Sequence, residues 1–302
     1  MSVINSGNFA KALWPGVNAW YGKSYSDYAT EYDKLFEKNS SNRAFEEDVG
    51  IASFGLAVQK PEGSTITYDT ERQGFITRYQ HVVYSLGFII TKEAYDDDQY
   101  DVVGKRKAQG LARSIRQTKE IVGANVYNRA FNATYTGGDG VSMVNAAHPN
   151  ISGGTWSNLI ATAADISEAA IEQAAIDIAG FTDDRGLIIA AKPEKLVIPR
   201  QLIYETKRIL GSDGRVATDL NDLNALKDMG VIGSVVTNHY LTDTDAWFIL
   251  TDVKNGLKYF ERDADSFDMD NDFDTDNAKY KARSRYAFGW TDPRAIYGSP
   301  GA

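Results

Sequence analysis

The stretch VNAAHPNISGG, Val144–Gly154, decides how this chain is read. It carries His148, one of only three histidines, pinned against Pro149 and followed by Gly153 and Gly154. Two readings compete. His148 is either a base in an active-site loop or part of a structural turn. Neither a second histidine nor a carboxylate stands at ligand spacing beside it, and the same holds for His81 and His239. The residues therefore favour the turn, because a base needs a partner that orients it.

Working outward, a loop, TGGDG, precedes the stretch, and before it lies the strongest helical signal in the chain. Leu111, Ile115, Val122 and Val126 recur at helical spacing, with Ala108, Ala112 and Ala130 on nearby positions. A helix from Asp101 to Asn132 would run roughly 48 Å at 1.5 Å per residue. Its other faces carry Lys105, Arg106, Lys107, Arg113, Arg116, Lys119 and Arg129 against two acids, Asp101 and Glu120. That basic rod is either a solvated face or a contact for a polyanion or acidic partner.

After the stretch a second helix is expected from Asp165 to Ala179, with Asp165 as N-cap and Glu168 completing a capping box. Leu187–Ala191 and Leu196–Ile198 read as buried strands, Arg200–Leu210 and Ala217–Met229 as helices, and Val231–Thr237 and Ala246–Asp252 as strands. Asn255-Gly256 marks a turn before a short strand, Leu257–Phe260. On the other side, residues 1 to about 50 read as an irregular arm rich in aromatics, with a short helix at Tyr25–Lys38. The runs GSTITYD and HVVYSLGFIIT, separated by DTERQG, read as one long hairpin.

The chain end is unusual. Phe267, Met269, Asn271, Phe273 and Thr275 alternate with Asp268, Asp270, Asp272, Asp274 and Asp276, and a following run alternates with Lys279, Lys281, Arg283 and Arg285. Two such strands match charge with each other, or with copies in another subunit.

Composition sets bounds. A chain of 302 residues supports two or three compact units. No cysteine is present, which excludes a disulfide scaffold, a cysteine nucleophile and cysteine-ligated zinc. No apolar run approaches the roughly 20 residues of a bilayer helix, and the N-terminus lacks the marks of a secretion signal, so a protein made and used inside a cell is expected. A net charge of −9 argues against a dedicated nucleic-acid reader. The metalloprotease helix, the phosphate loop and the nucleophile elbow are all absent. The aspartate run fails as a calcium loop, because Phe273 stands where glycine is needed and Lys279 where the bidentate glutamate belongs. Catalytic residues, metal ligands and cofactor sites are therefore not assigned.

The ordered set of these segments resembles a known family. GGDGVSMVNAAHPNISGGTWSNL with DISEAAIEQAAIDI, then KPEKLVIPRQLIYETKRIL, then RYAFGWTDPRAIYGSPGA are similar to successive elements of tailed-bacteriophage major capsid proteins. The resemblance covers nearly the whole chain and implies the α+β, HK97-type capsid fold. It implies an N-terminal arm (1–54), an extended β-hairpin loop (55–95), a peripheral domain with the spine helix (96–191), an axial α/β domain (192–260) and returning peripheral strands with the tail (261–302). The implied function is a subunit that assembles with itself into pentamers and hexamers around packaged double-stranded DNA, without sequence-specific binding. Scaffolding protein, portal and decoration protein are the implied further partners, in a virion made in the host cytoplasm. The chain opens directly into arm-like sequence, so a separate scaffold is expected, and no motif supports covalent crosslinking. Trp14, Trp20, Tyr68, Arg72, Phe75, Arg78, Asp270, Asp272, Asp274, Arg283 and Arg285 are the expected inter-subunit contacts. Arg106, Arg113, Arg116 and Lys119 form the expected inner-face basic helix. The rivals are an encapsulin-like compartment shell, a cytosolic α/β enzyme using His148 or His239, and a tail-tube protein, against which the long helix speaks.

Overall fold

The computed structural model describes residues 18–27, 29–91, 93, 100–214, 222–271 and 277–302. Two four-stranded sheets organise it. The first has the order β1 (Glu37–Ser40), β10 (Leu257–Asn271), β11 (Ala278–Trp290), β4 (Val82–Ile90), with β1 parallel to β10 and the rest antiparallel. The second has the order β12 (Ile296–Ser299), β9 (Trp247–Thr251), β7 (Pro193–Pro199), β8 (Ser234–Asn238). Helix α1 covers 18–26, and the long helix α2 is Tyr100–Asn128.

Helix α2 lies under the first sheet, and its phase explains why. Ala108, Leu111, Ala112 and Ile115 form one stripe, packed against Ile90, Phe267, Tyr280 and Ala282. Further along, Tyr127 and Ala130 enter a second cluster with Phe36, Phe248, Tyr259 and Tyr286. Aromatic stacks tie the strands across this face: Tyr84 on Tyr286 and Phe88 on Tyr280, each at 4.8 Å. Such pairs contribute about 0.5–1.5 kcal/mol each beyond burial.

The second sheet carries α3 (Glu168–Ala179), α4 (Ile203–Gly211) and the short α5 (Ala225–Asp228) around a core of Ile171, Ile178, Leu196, Ile198, Trp247 and Ile249. Strand β9, WFILT, is buried throughout, so its apolar run is continuous rather than alternating. Two segments cross between the sheets, 252–256 and 291–295. They bond to each other through Thr291 N–H to Gly256 O (2.9 Å) and Asp292 N–H to Asn255 O (3.0 Å). Asn255 takes φ +60°, which fits the expected turn. Gly256 is obligatory, since a Cβ there would lie 2.0 Å from the Ala295 Cβ.

Several expectations are corrected. The helix expected at Tyr25–Lys38 ends at residue 26. A 3-10 turn at Tyr32–Lys34 and strand β1 follow, because Tyr32, Leu35 and Phe36 are drawn into the core and β1 pairs with β10. The hairpin expected from GSTITYD and HVVYSLGFIIT is built from other legs. Strand β2 (Phe45–Ala52) pairs with β3 (Arg72–Gln80), residues 53–71 form the loop between them, and β4 turns away to pair with β11. GSTITYD has strand propensity but no partner strand. Leu187–Ala191 is not a buried strand: Ile188 is 71% exposed and makes a single bridge to Thr182. Ser167, not Asp165, caps α3, its hydroxyl accepting from Ala170 N–H. Most of the helix expected at Ala217–Met229 reduces to α5, and residues 215–221 lie outside the described set.

Candidate assembly surfaces and buried charge sites

His148 sits in a two-residue ladder, β5 (His148–Pro149) with β6 (Thr155–Trp156), and is 1% exposed. Its Nδ1 lies 2.6 Å from Asp139 Oδ2 and its Nε2 3.0 Å from Asn158 Oδ1. Trp156 stacks on the ring at 4.8 Å, and the Arg294 guanidinium lies 4.7 Å from the Trp156 ring centre. The Asn158 amide nitrogen donates to the carbonyls of Met143 (2.9 Å), Pro293 (3.0 Å) and Ile296 (3.1 Å). His148 is thus walled in by structural bonds and offers no nitrogen to a substrate. His239 is exposed but bound to Glu31, Nδ1 to Oε1 at 2.6 Å. His81 is buried, its Nε2 3.1 Å from Ser41 Oγ, and burial together with Arg285 lowers its pKa. Among the described residues, no group of three acidic, histidine or cysteine side chains is placed to hold a metal.

The basic helix divides into two sets. Lys105, Arg106, Lys107 and Arg113 are exposed. Lys119 is the correction: it is 1% exposed and points into the protein. Its Nζ lies 2.7 Å from Asp265 Oδ2 and 3.6 Å from Glu261 Oε1, above the rings of Tyr286 and Tyr259. Arg116 also turns inward, its guanidinium 4.7 Å from the Tyr25 ring centre. Neither belongs to an open basic face. The missed signal was helical phase, since Lys119 continues the stripe of Leu111, Ala112 and Ile115. Together they dock α1. Tyr25 donates to Asp265, and Tyr21 stacks on Phe267 at 4.5 Å. The neighbouring Glu120 accepts from Glu31 N–H (3.0 Å) and Tyr32 N–H (3.1 Å), and burial raises its pKa.

The acidic and basic strands meet within one chain. Asp268 faces Lys281, Asp270 faces Lys279 and Asp263 faces Arg285, and Arg283 pairs with Asp263 at 3.5 Å. Their charges are matched within the chain. Asp272 and Asp274 lie outside the described residues, as does Trp14. Trp20 packs against the cluster that holds Tyr21.

The hairpin presents the opposite picture. Along loop 53–71, Tyr68 is 89% and Leu56 79% exposed, and Phe54, Val58 and Ile66 are exposed with them. On β3, Arg72, Phe75 and Arg78 are exposed, Arg78 stacking on Phe45 at 3.7 Å. The loop is tied back at one point. Asp69 Oδ2 accepts from Gly55 N–H (2.9 Å) and from the Arg185 guanidinium (2.8 Å). The backbone bonds from Gly55 and Thr70, followed by that of Arg185, lower the Asp69 carboxyl to about 2.

An α+β subunit with a long helix beneath one sheet, a second helix-covered sheet and an exposed apolar hairpin is the capsid-subunit class of the HK97-type fold. A family model of phage capsid proteins matches residues 75–299, and the chain belongs to that family. Solved structures agree on the fold. The virus-like particle from Pyrococcus furiosus is 10% identical, with 94% of this chain and 98% of that one covered at a TM-score of 0.55. Mycobacterium phage Adephagia gives 13% identity, 91% of each chain and a TM-score of 0.54. The capsid of Cyanophage P-SCSP1u gives 11%, 91% and 88%, and 0.54. A search of curated protein sequences found no match. As a phage capsid protein the chain is a structural component of the virion that associates with copies of itself, not an enzyme.

Proposed function

We propose that this chain is the major capsid subunit, assembling into pentamers and hexamers that close into an icosahedral head around the phage double-stranded DNA. The observation that carries this reading is the loop 53–71, whose large apolar side chains are between 52% and 89% exposed. A folded chain leaves such an array exposed when another surface buries it, as symmetric assembly provides. In this reading the β2–β3 hairpin with its loop 53–71 reaches neighbours, the first sheet with α2 forms the peripheral domain, and the second sheet with α3, α4 and α5 forms the axial domain. Tyr68, Arg72, Phe75 and Arg78 are the contacts the hairpin brings. Lys105, Arg106 and Arg113 supply a non-specific face toward DNA or an acidic scaffold. Scaffold, portal and a decoration protein are the further partners, and synthesis takes place in the host cytoplasm. The encapsulin-like alternative shares the fold, but the family match lies with phage capsids.

The test is the mass of the purified protein by light scattering, with negative-stain images of the same fractions, for the native chain and for Leu56→Ser/Tyr68→Ser. Rings of five or six, tubes or shells from the native chain, and a folded monomer from the variant, are expected. A native chain that stays monomeric on concentration and with a scaffold candidate would sink the reading.

A further inference from the structure

We infer that His148 and Asp139 form a proton-bound clamp that fastens the crossing between the two sheets. The argument starts from Asn158, which is fully buried. Its amide nitrogen faces three carbonyl oxygens, so the flip of this side chain is fixed. Its Oδ1 is then the acceptor, and it already takes Asn145 N–H at 2.8 Å. His148 Nε2, 3.0 Å from the same oxygen, must carry a hydrogen.

The second ring nitrogen faces another acceptor. Nδ1 lies 2.6 Å from Asp139 Oδ2, and two bare lone pairs at that distance repel. A hydrogen sits between them. Asp139 Oδ1 accepts Val141 N–H at 3.3 Å, which suits a carboxylate. The Trp156 face stacked on the ring suits a cation. The structure therefore holds His148 with hydrogens on both nitrogens, as an imidazolium paired with the Asp139 carboxylate.

The position gives this proton its consequence. Two of Asn158's carbonyl partners, Pro293 and Ile296, belong to the segment by which the chain leaves β11 and enters β12. The backbone of the same loop continues the stitching, Gly298 N–H to Asn158 O (3.0 Å) and Ile160 N–H to Gly298 O (3.2 Å). Loss of the shared proton sets two acceptors against each other beside Asn158. The charged groups facing the clamp are few. Arg294 lies across Trp156, bonded to Asp184 and near Asp292, and Asp48 and Lys254 line the cavity that Asp139 borders.

This inference rests on the bonding of the single chain and stands apart from the assembly reading. The discriminating variant is Asp139→Asn. Its amide donates to a bare Nδ1 and its oxygen keeps Val141 N–H, so a neutral imidazole satisfies every partner. Ring-nitrogen NMR of the full chain, with His148 assigned by its absence in His148→Gln, reads the hydrogens directly. At neutral pH both His148 nitrogens are expected to be proton-bearing. Asp139→Ala, which leaves Nδ1 facing no acceptor, is expected to melt well below the native chain, whereas Asp139→Asn, which restores a partner, loses markedly less. A bare ring nitrogen on His148 at neutral pH would overturn the inference, as would equal melting temperatures for Asp139→Ala and Asp139→Asn. Should Asp139→Asn fail to fold, the NMR result on the native chain decides alone.

Discussion

Replacing Lys119 with methionine tests whether the spine helix holds the N-terminal helix by a buried charge. Methionine keeps the apolar stem and removes the ammonium. In the native chain Nζ lies 2.7 Å from Asp265 Oδ2, with side-chain exposures of 1% and 13%. At an effective dielectric near 20, that separation gives an attraction of about 6 kcal/mol before desolvation is subtracted. Without the lysine, Asp265 keeps only the Tyr25 hydroxyl on Oδ2, and its Oδ1 already has no partner. Removing one member of a buried pair costs about 3–5 kcal/mol. For a chain of this size that is a fall in melting temperature of roughly 5–8 °C. Thermal unfolding followed by tryptophan fluorescence reads it, and proteolysis within residues 18–26 should accelerate in parallel. The double variant Lys119→Met/Asp265→Asn removes both charges yet keeps an acceptor for Tyr25, and should recover more than half of the loss. A single variant within about 1 kcal/mol of native stability, or a double variant less stable than the single, would refute the reasoning.

Two further outcomes follow from local geometry. Gly298→Ala places a Cβ 2.9 Å from Phe248 Cδ1 and 3.3 Å from Val144 Cγ1, so it should lower stability by about 1–3 kcal/mol. Gly110→Ala, on an open face of α2, should instead raise stability by about 0.5–1 kcal/mol, and denaturant midpoints check both signs. The Asp69 carboxyl is depressed from 3.8 to about 2, so its tie to the loop is complete above 3.8 and is lost as pH falls toward 2. Pepsin cleavage within 53–71 should therefore rise steeply across that interval in the native chain, and should be fast at both ends of it in Asp69→Asn.

What was legible in the sequence was local, and what was not was partnership. The long helix shows in its own spacing, because Ala108, Leu111, Ala112 and Ile115 need no distant residue to declare a face. Strand propensity in HVVYSLGFIIT was also real, but propensity names no neighbour. Strand β4 pairs with β11, almost two hundred residues on, and not with the run that precedes it. His148 shows both limits. Its turn was readable from Pro149 and the glycines, whereas Asp139 and Asn158 are assigned by the fold, and Pro293 and Ile296 arrive from the far end of the chain. The charge run from Glu261 to Asp276 hid a further distinction. Asp268 and Asp270 match lysines on the surface, while Asp265 in the same run is turned inward to meet Lys119.

That distinction changes how the basic helix is to be understood. Counting lysines and arginines along α2 suggests a uniform basic rod. Subtracting the inward Arg116 and Lys119 leaves Lys105, Arg106, Lys107 and Arg113 as the exposed set, with Arg129 just beyond the helix and stacked on Tyr135 at 4.2 Å. Positions 105 to 113 span about 12 Å of helix axis. Charge on the N-terminal half of α2 is therefore available to a polyanion, while charge in the middle is consumed in fastening the arm. Under the proposed assembly, reversing Arg106 and Arg113 should weaken contact with DNA or scaffold and leave subunit stability unchanged, whereas any change at Lys119 acts first on the fold. A variant series that treats these residues as one surface would confuse the two effects.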